Sequence, residues 1–359
     1  MRVSQPFKDK VPGLDRSGWW TDYNSDKYSL ALNMRHSKAI DVLKRLIVWC
    51  DVFIENFAPG VVEKWGVGYE QVKKLNPGLI MLSANMQGNT GPHAHHPGLG
   101  TNLAGLSGFY EVLGWPDRQP VYGYGAFTDF MAPSLGIAAI CAALIKRRRT
   151  GKGEYIELSQ LECGLQTLDP ALLDYTVSGR VQSRMGNRHH SYAPYGIYRC
   201  QGEDRWCAIA VTNEGEWKNF CLAVGRPEWV SDQRFRTFPD RKKNEDELDR
   251  LIGEWTINFT PEIVMYTLQD KGVPAGVVRT PPELFDCPQL IHRKFLRYLN
   301  HPVMGRHVYQ SYAFRLSKTP SRFEMPGPCL GEHTAYVCNE LLGMSDEEFA
   351  ALYAEGVFE

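Results

Sequence analysis

Between Tyr28 and Ala84 the chain alternates short apolar runs with amphipathic stretches, and this alternation restricts the possible folds more than any other feature. YSLALNM reads as a strand, SKAIDVLKRLIVWC as an amphipathic helix, DVFIENF as a strand, the stretch near Tyr69 to Leu75 as a helix, and GLIMLSA as a further strand. Strands joined through helices pair in parallel, because a parallel connection has to cross back over the sheet. The pattern therefore predicts an α/β fold whose sheet is at least partly parallel. It is renewed downstream, where an apolar helix ending in KRRR passes through the turn TGKG into the strand EYIELS. Between these parts lie a loop rich in Gly, Asn, His and Pro (residues 85–100), a helical stretch (101–113) and the loop WPDRQPVYGYG leading to Asp129.

Around Arg180 to Pro194 the text turns polar and turn-rich, RVQSRMGNRHHSYAP, as expected of a domain boundary. Beyond it come strands at GIYRC and WCAIAV, then helices carrying EGEWKNFCLAV, NEDELDRLIGEW and TPEIVMYTLQDKG, an α+β pattern. From about His292 the chain is loop-rich and closes with a helix at SDEEFAALYAEG. The expected division is a large domain over residues 1–190, a small α+β domain over 191–291 and a final segment over 292–359. A length of 359 residues makes two domains the default.

Charge narrows the partners. With 40 Lys+Arg against 41 Asp+Glu there is no broad positive field for nucleic acid or an anionic membrane, which leaves small molecules and other proteins. Nine dispersed cysteines without a CxxC pair suit reduced thiols, and the N-terminus has no apolar signal core. The run from Met131 to Ile145 is broken by Pro133, Ser134 and Gly136 and falls short of the roughly 18 to 20 residues of a membrane helix, so it reads as a buried helix. The expectation is a soluble, cytoplasmic protein.

The familiar chemical motifs do not occur. GxxxxGK[ST], a strand followed by GxGxxG, and GxSxG are all missing. His93, His95 and His96, and likewise His189 and His190, lack the acidic or cysteine companions of a metal site, so no metal is expected. Lys146 to Arg149 reads as the solvated C-terminal end of the apolar helix. Asp129 carries two readings, the N-cap of that helix or a carboxylate held in an apolar pocket as a covalent nucleophile.

Longer motifs go further. VFIENFAPGVVEKWGVGYEQVKKLNPGLIMLSA, then GNTGP, then Asp129, then RRRTGKGEYIELSQLE closely resembles the class III CoA-transferases, the group that includes formyl-CoA and carnitine CoA-transferases and, more distantly, α-methylacyl-CoA racemase. GNRHHSYAPYGIYRC, KGVPAGVV, PGPCLGEHTAYV and LLGMSDEEFAALYAEGV continue the likeness in the same order to the C-terminus. The resemblance implies a Rossmann-like large domain built from both chain ends, with 292–359 returning to complete it, plus the small domain, in an interlocked dimer. It implies that Asp129 attacks an acyl-CoA thioester, forms a mixed anhydride with release of CoA thiolate, and becomes an aspartyl-CoA thioester that a carboxylic acid then discharges. Asn56 and Phe57 match positions lining the CoA site, Arg35 a basic position near the CoA phosphates, and Lys64 a basic position after the PG turn. Coenzyme A thioester is then a co-substrate and no cofactor is permanently bound, since CoA exchange between carboxylates conserves the thioester energy. The apolar neighbours Phe127, Phe130 and Met131 are expected to keep water from the anhydride.

The likeness departs in three places. The family opens with a strand and helix carrying an AGP turn and an LGADVIKVE-like strand, and this text begins after them; a misassigned start, a natural short form and a partner-supplied piece are the alternatives. The racemases use a histidine beside the matching aspartate, whereas PGLGTNLAG has Leu99 there, followed by Gly100, and leucine takes up no proton. The glycine-rich loop of formyl-CoA transferases is not evident between Arg180 and Trp217. An acyl-CoA:carboxylate CoA-transferase is the leading expectation, with an acyl-CoA racemase or a non-catalytic subunit of a heteromeric transferase as alternatives. A homodimer is expected, or a heteromer with a paralogous subunit. The substrate leaning is toward larger aromatic or dicarboxylic acids such as those of benzylsuccinate CoA-transferases.

Overall fold

The computed structural model describes residues 1–123 and 125–359. Tyr124, in the loop expected before Asp129, lies outside the described residues. The chain forms two compact units. The first comprises Met1–Leu103, Ala126–Gln166 and Leu284–Glu359, the second Ala104–Gly125 and Thr167–Glu283. Their limits differ from the 190/191 and 291/292 positions read from composition, because a polar loop marks where chain is solvated rather than where packing changes partner.

The first unit is organised on a parallel sheet in the order β1-β2-β3, with β1 at Val52–Glu55, β2 at Ile80–Asn85 and β3 at Glu154–Ser159. Val52 pairs with Ile80, and Ile80 with Glu154. Central β2 reads as a continuous apolar run because both its faces are covered; Ile80, Met81, Leu82 and Ser83 are all buried. The Ser37–Trp49 helix buries Ala39, Val42 and Ile47. Its flanks belong to two apolar clusters, one with Val62, Val67, Val72, Leu79 and Met81, the other with Cys338, Met344, Val357 and Phe358 from the C-terminal segment. An antiparallel pair, β7 (Leu296–His301) and β8 (Gly305–Gln310), completes this unit.

YSLALNM does not become a strand. Its alternate N–H groups find other partners: Ser29 donates to His333 Nδ1 at 3.3 Å, Ala31 to Thr334 Oγ1 at 3.2 Å and Asn33 to the Val357 carbonyl at 2.9 Å. The apolar residues Leu30, Leu32 and Met34 pack on the C-terminal cluster. The period-2 pattern is real, but two side chains and one backbone carbonyl of the C-terminal segment stand where a neighbouring strand would be.

The apolar run forms the 24-residue helix Phe127–Thr150, longer than the sequence suggested, and by length and composition alone it could cross a membrane. Nor is it the buried helix expected. Thr128, Ala132, Gly136 and Ala143 are buried, while Phe127, Phe130, Ile137 and Ile145 stay exposed. The small residues form the stripe that meets the sheet: a Cβ on Gly136 would stand 3.2 Å from Leu82 Cδ2 and 3.5 Å from Leu158 Cδ2. Among the described residues the opposite face keeps much of its apolar surface in solvent.

The second unit holds the antiparallel sheet β4-β5-β6, at Tyr195–Arg199, Trp206–Ala210 and Ala275–Val277. Its core gathers Trp217 and Phe220 from the Glu214–Ala223 helix, Leu248 and Ile252 from Glu245–Thr256, and Val264 and Leu268 from Pro261–Gln269. Asn213 caps the first of these helices, its side chain accepting from Glu216 N–H at 2.9 Å. The buried Arg241 donates to the carbonyls of Ala193 (2.8 Å) and Phe235 (3.2 Å) and to Glu214 (2.7 Å).

Candidate active site

Asp129 sits in the first turn of the Phe127–Thr150 helix. It is not the N-cap: that position is Ala126, whose carbonyl accepts from Asp129 N–H at 2.9 Å. The carboxyl group is therefore free of a capping duty, and among the described residues it has no hydrogen-bond or ion-pair partner. Pro133, four residues on, has no N–H to offer the Asp129 carbonyl.

The carboxyl lies against the backbone of Gly100. A Cβ at that position would sit 2.7 Å from Asp129 Cγ, from its Oδ1 and from Ala126 Cβ. Two hydrogen bonds fix the start of the Gly100–Leu106 helix there. The buried Thr128 hydroxyl donates to the Gly100 carbonyl at 3.2 Å, and Asn102 Oδ1 accepts from Leu99 N–H at 3.0 Å. The surrounding atoms raise the Asp129 pKa from the ordinary carboxylate range by burial, although solvent still reaches the side chain. The positive end of the helix works in the opposite sense by favouring the anion.

Among the described residues the apolar enclosure expected from Phe127, Phe130 and Met131 is not closed. Phe127 and Phe130 are exposed, and Phe130 stacks on Tyr23 at 6.0 Å between ring centroids. Leu99 points its apolar side chain largely into solvent, 72% exposed, and offers no titratable partner to Asp129.

Of the other residues singled out in the sequence, Asn56 and Phe57 follow directly on β1, and Lys64 closes the short helix Val61–Lys64 just beyond. That helix starts from Gly60 at φ +87°, a left-handed conformation that suits glycine. All three side chains are exposed, and the Phe57 ring meets Trp65 edge-on at 5.0 Å. Arg35 is exposed just before the Ser37–Trp49 helix, its N–H bonded to Asn33 Oδ1 at 3.2 Å. Asn56, Phe57 and Lys64 thus share one turn region at the C-terminal end of a parallel strand, where open α/β sheets place their ligands. No hydrogen bond or ion pair among the described residues links Asp129 to these four. Gly100, Thr128 and Asn102 carried no catalytic signal in the sequence beyond the two glycines flanking Leu99.

The profile described as CoA-transferase family III spans residues 1–334. The chain belongs to this family. Among the relatives of this CoA-transferase, the Chloroflexus aurantiacus succinyl-CoA–D-citramalate CoA-transferase is 32% identical over 342 residues, covering 95% of this chain and 85% of that one. The Mus musculus succinyl-CoA:glutarate CoA-transferase is 29% identical over 346 residues, covering 96% and 78%. A crystal structure of a CaiB/BaiF family protein from Brucella suis superimposes with a TM-score of 0.85 at 30% identity, covering 95% of this chain and 88% of that one. The mixed α/β architecture with parallel and antiparallel sheets is that of the CaiB/BaiF fold, and CoA thioesters are the co-substrates of such an enzyme.

Proposed function

We propose that this CoA-transferase moves CoA from succinyl-CoA to a dicarboxylic acid with Asp129 as the covalent nucleophile. A carboxylate oxygen of Asp129 attacks the thioester carbonyl; the C–S bond breaks, CoA thiolate leaves and an aspartyl–acyl anhydride remains. The thiolate attacks the Asp129 carbonyl carbon, releasing the donor as its carboxylate and leaving an aspartyl-CoA thioester. The acceptor carboxylate attacks that thioester, CoA thiolate leaves again, and its return to the acceptor's carbonyl yields the new acyl-CoA and free Asp129. No net proton or redox change occurs.

The observation that carries this reading is the Asp129 carboxyl, without a hydrogen-bond or ion-pair partner among the described residues and set in a helix's first turn against bare Gly100 backbone. A carboxyl used for structure would be capped or paired. Arg35, Asn56, Phe57 and Lys64 are assigned to CoA, with the two cations suited to its phosphates. The dicarboxylate class rests on the names of the two relatives above. The exposed Leu99 disfavours a two-base racemase.

The test is to incubate the protein with succinyl-CoA, quench, and apply intact-mass analysis and peptide mapping. A CoA-sized adduct on the Asp129 peptide, lost in Asp129→Ala, is expected; full turnover by a folded Asp129→Ala protein overturns the assignment. We further propose a homodimer that covers the apolar face carrying Phe127, Phe130, Ile137 and Ile145, which excludes water from the anhydride. Sedimentation showing a monomer that turns over at full rate contradicts this.

A further inference from the structure

Phe57 is gripped by both of its backbone polar groups. Its N–H donates to Glu55 Oε2 at 2.9 Å, and its carbonyl accepts from Asn85 Nδ2 at 3.2 Å. The two holding side chains come from the ends of adjacent strands, β1 and β2, and each is only 5% exposed. Behind them the grip is braced across the sheet. Glu55 Oε1 accepts from the Ser83 hydroxyl, Ser83 Oγ accepts from Asn89 Nδ2 at 3.2 Å, and the same amide reaches the Tyr155 hydroxyl on β3. The Asn89 N–H is in turn bonded to Glu157 Oε1 at 2.6 Å.

This is an unusual investment for the residue it serves. Buried carboxylate and amide groups are costly to place and are kept only when satisfied, yet here they fix a backbone whose side chain, an aromatic ring, is left 47% exposed. Ordering a loop before binding removes that entropy from the binding step. We propose that Glu55 and Asn85 are positioning residues that hold Phe57 ready as an apolar platform for coenzyme A; the proposal rests on the assignment of Phe57 to the CoA site. Ser83, Asn89 and Tyr155 brace the pair.

The test measures binding of free CoA to the full-length protein by titration calorimetry, with steady-state kinetics on succinyl-CoA alongside. Asn85→Ala and Glu55→Ala each weaken CoA about tenfold, the scale of one buried hydrogen bond, while kcat at saturating succinyl-CoA stays within about twofold. Glu55→Gln keeps an acceptor oxygen for the Phe57 N–H and retains most of the affinity. This glutamine variant also keeps the test open where an alanine variant fails to fold. In a Phe57→Ala background, Asn85→Ala adds no more than about a twofold loss, as expected of a residue acting through Phe57. Wild-type affinity in both alanine variants overturns the proposal, as does an Asn85→Ala penalty undiminished without the Phe57 ring. Because binding is read without turnover, failure here is distinct from failure of the transferase reading, which is decided by the Asp129 adduct.

Discussion

A Cβ on Gly100 would lie 2.7 Å from both Cγ and Oδ1 of Asp129, so the backbone at the start of the Gly100–Leu106 helix is packed directly against the carboxyl group of another helix. The Thr128 hydroxyl, one residue before Asp129, holds the Gly100 carbonyl, so the carboxyl and the start of the Gly100–Leu106 helix are set by the same helical turn. Gly100→Ala forces the carboxyl aside. Small displacements of a reacting group carry large rate penalties, so kcat is expected to fall about tenfold or more, with free CoA affinity unchanged. Unaltered kcat in a folded Gly100→Ala protein contradicts the placement.

The raised pKa of Asp129 makes a paired prediction. In the proposed mechanism the anion is the nucleophile, so transferase rate is expected to rise as pH climbs through the raised value and to level off above it. Stability runs the other way. The folded protein holds this proton more tightly than the unfolded chain does, so the contribution is whole below the ordinary carboxylate range and is lost as pH rises through the folded pKa. Asp129→Asn removes that cost at neutral pH. The variant is expected to form no adduct yet to melt at or above the wild-type temperature at pH 7; a clearly lower Tm there would count against it.

The parallel sheet was legible because β1, β2 and β3 are short apolar runs separated by helices and turns, and local pattern suffices for such elements. YSLALNM misled for the opposite reason: its alternation is satisfied by His333, Thr334 and Val357, some 300 positions away, which no local pattern reveals. The surroundings of the candidate Asp129 site are only half legible in the sequence. The residue stood out by resemblance, but its neighbour Gly100 is defined by an absent side chain, and its helix's exposed apolar face is invisible to a composition that reads apolar as buried. Glu55 lies inside the ENF motif, and nothing in the sequence marks it, because what its carboxyl meets is a backbone N–H.

Gly153 shows what the start of β3 demands. Its N–H donates to the Pro77 carbonyl at 2.8 Å, and a Cβ there would fall 1.9 Å from the Leu79 carbonyl oxygen, a backbone atom that cannot swing away. Gly153→Ala has to part β2 from β3 and is expected to cost about 3 kcal/mol or more. Gly151, two residues earlier at φ +70°, has open space around it, so Gly151→Ala carries only the strain of its backbone, about 1 kcal/mol. Denaturant midpoints of the two variants should differ accordingly, and equal midpoints would refute the close approach.

Arg241 and Glu214 form an ion pair whose two partners differ sharply in burial. Its guanidinium is buried, donates to the Ala193 and Phe235 carbonyls, and lies 4.8 Å from the Trp217 ring centroid. Glu214, which it meets at 2.7 Å, is 54% exposed. Arg241→Lys keeps the charge but loses the planar fork, so one ammonium has to serve groups that lie in different directions. Carbonyls left unpaired in a dry core cost about 1 to 3 kcal/mol each, and the variant is expected to lose about 2 to 4 kcal/mol. Glu214→Gln leaves the buried carbonyl bonds intact and gives up an interaction screened by water, so it should cost no more than about 1 kcal/mol. Chemical denaturation of both variants decides the matter: a larger loss for Glu214→Gln than for Arg241→Lys would mean that the surface carboxylate, and not the two core carbonyls, is what the arginine is there to hold.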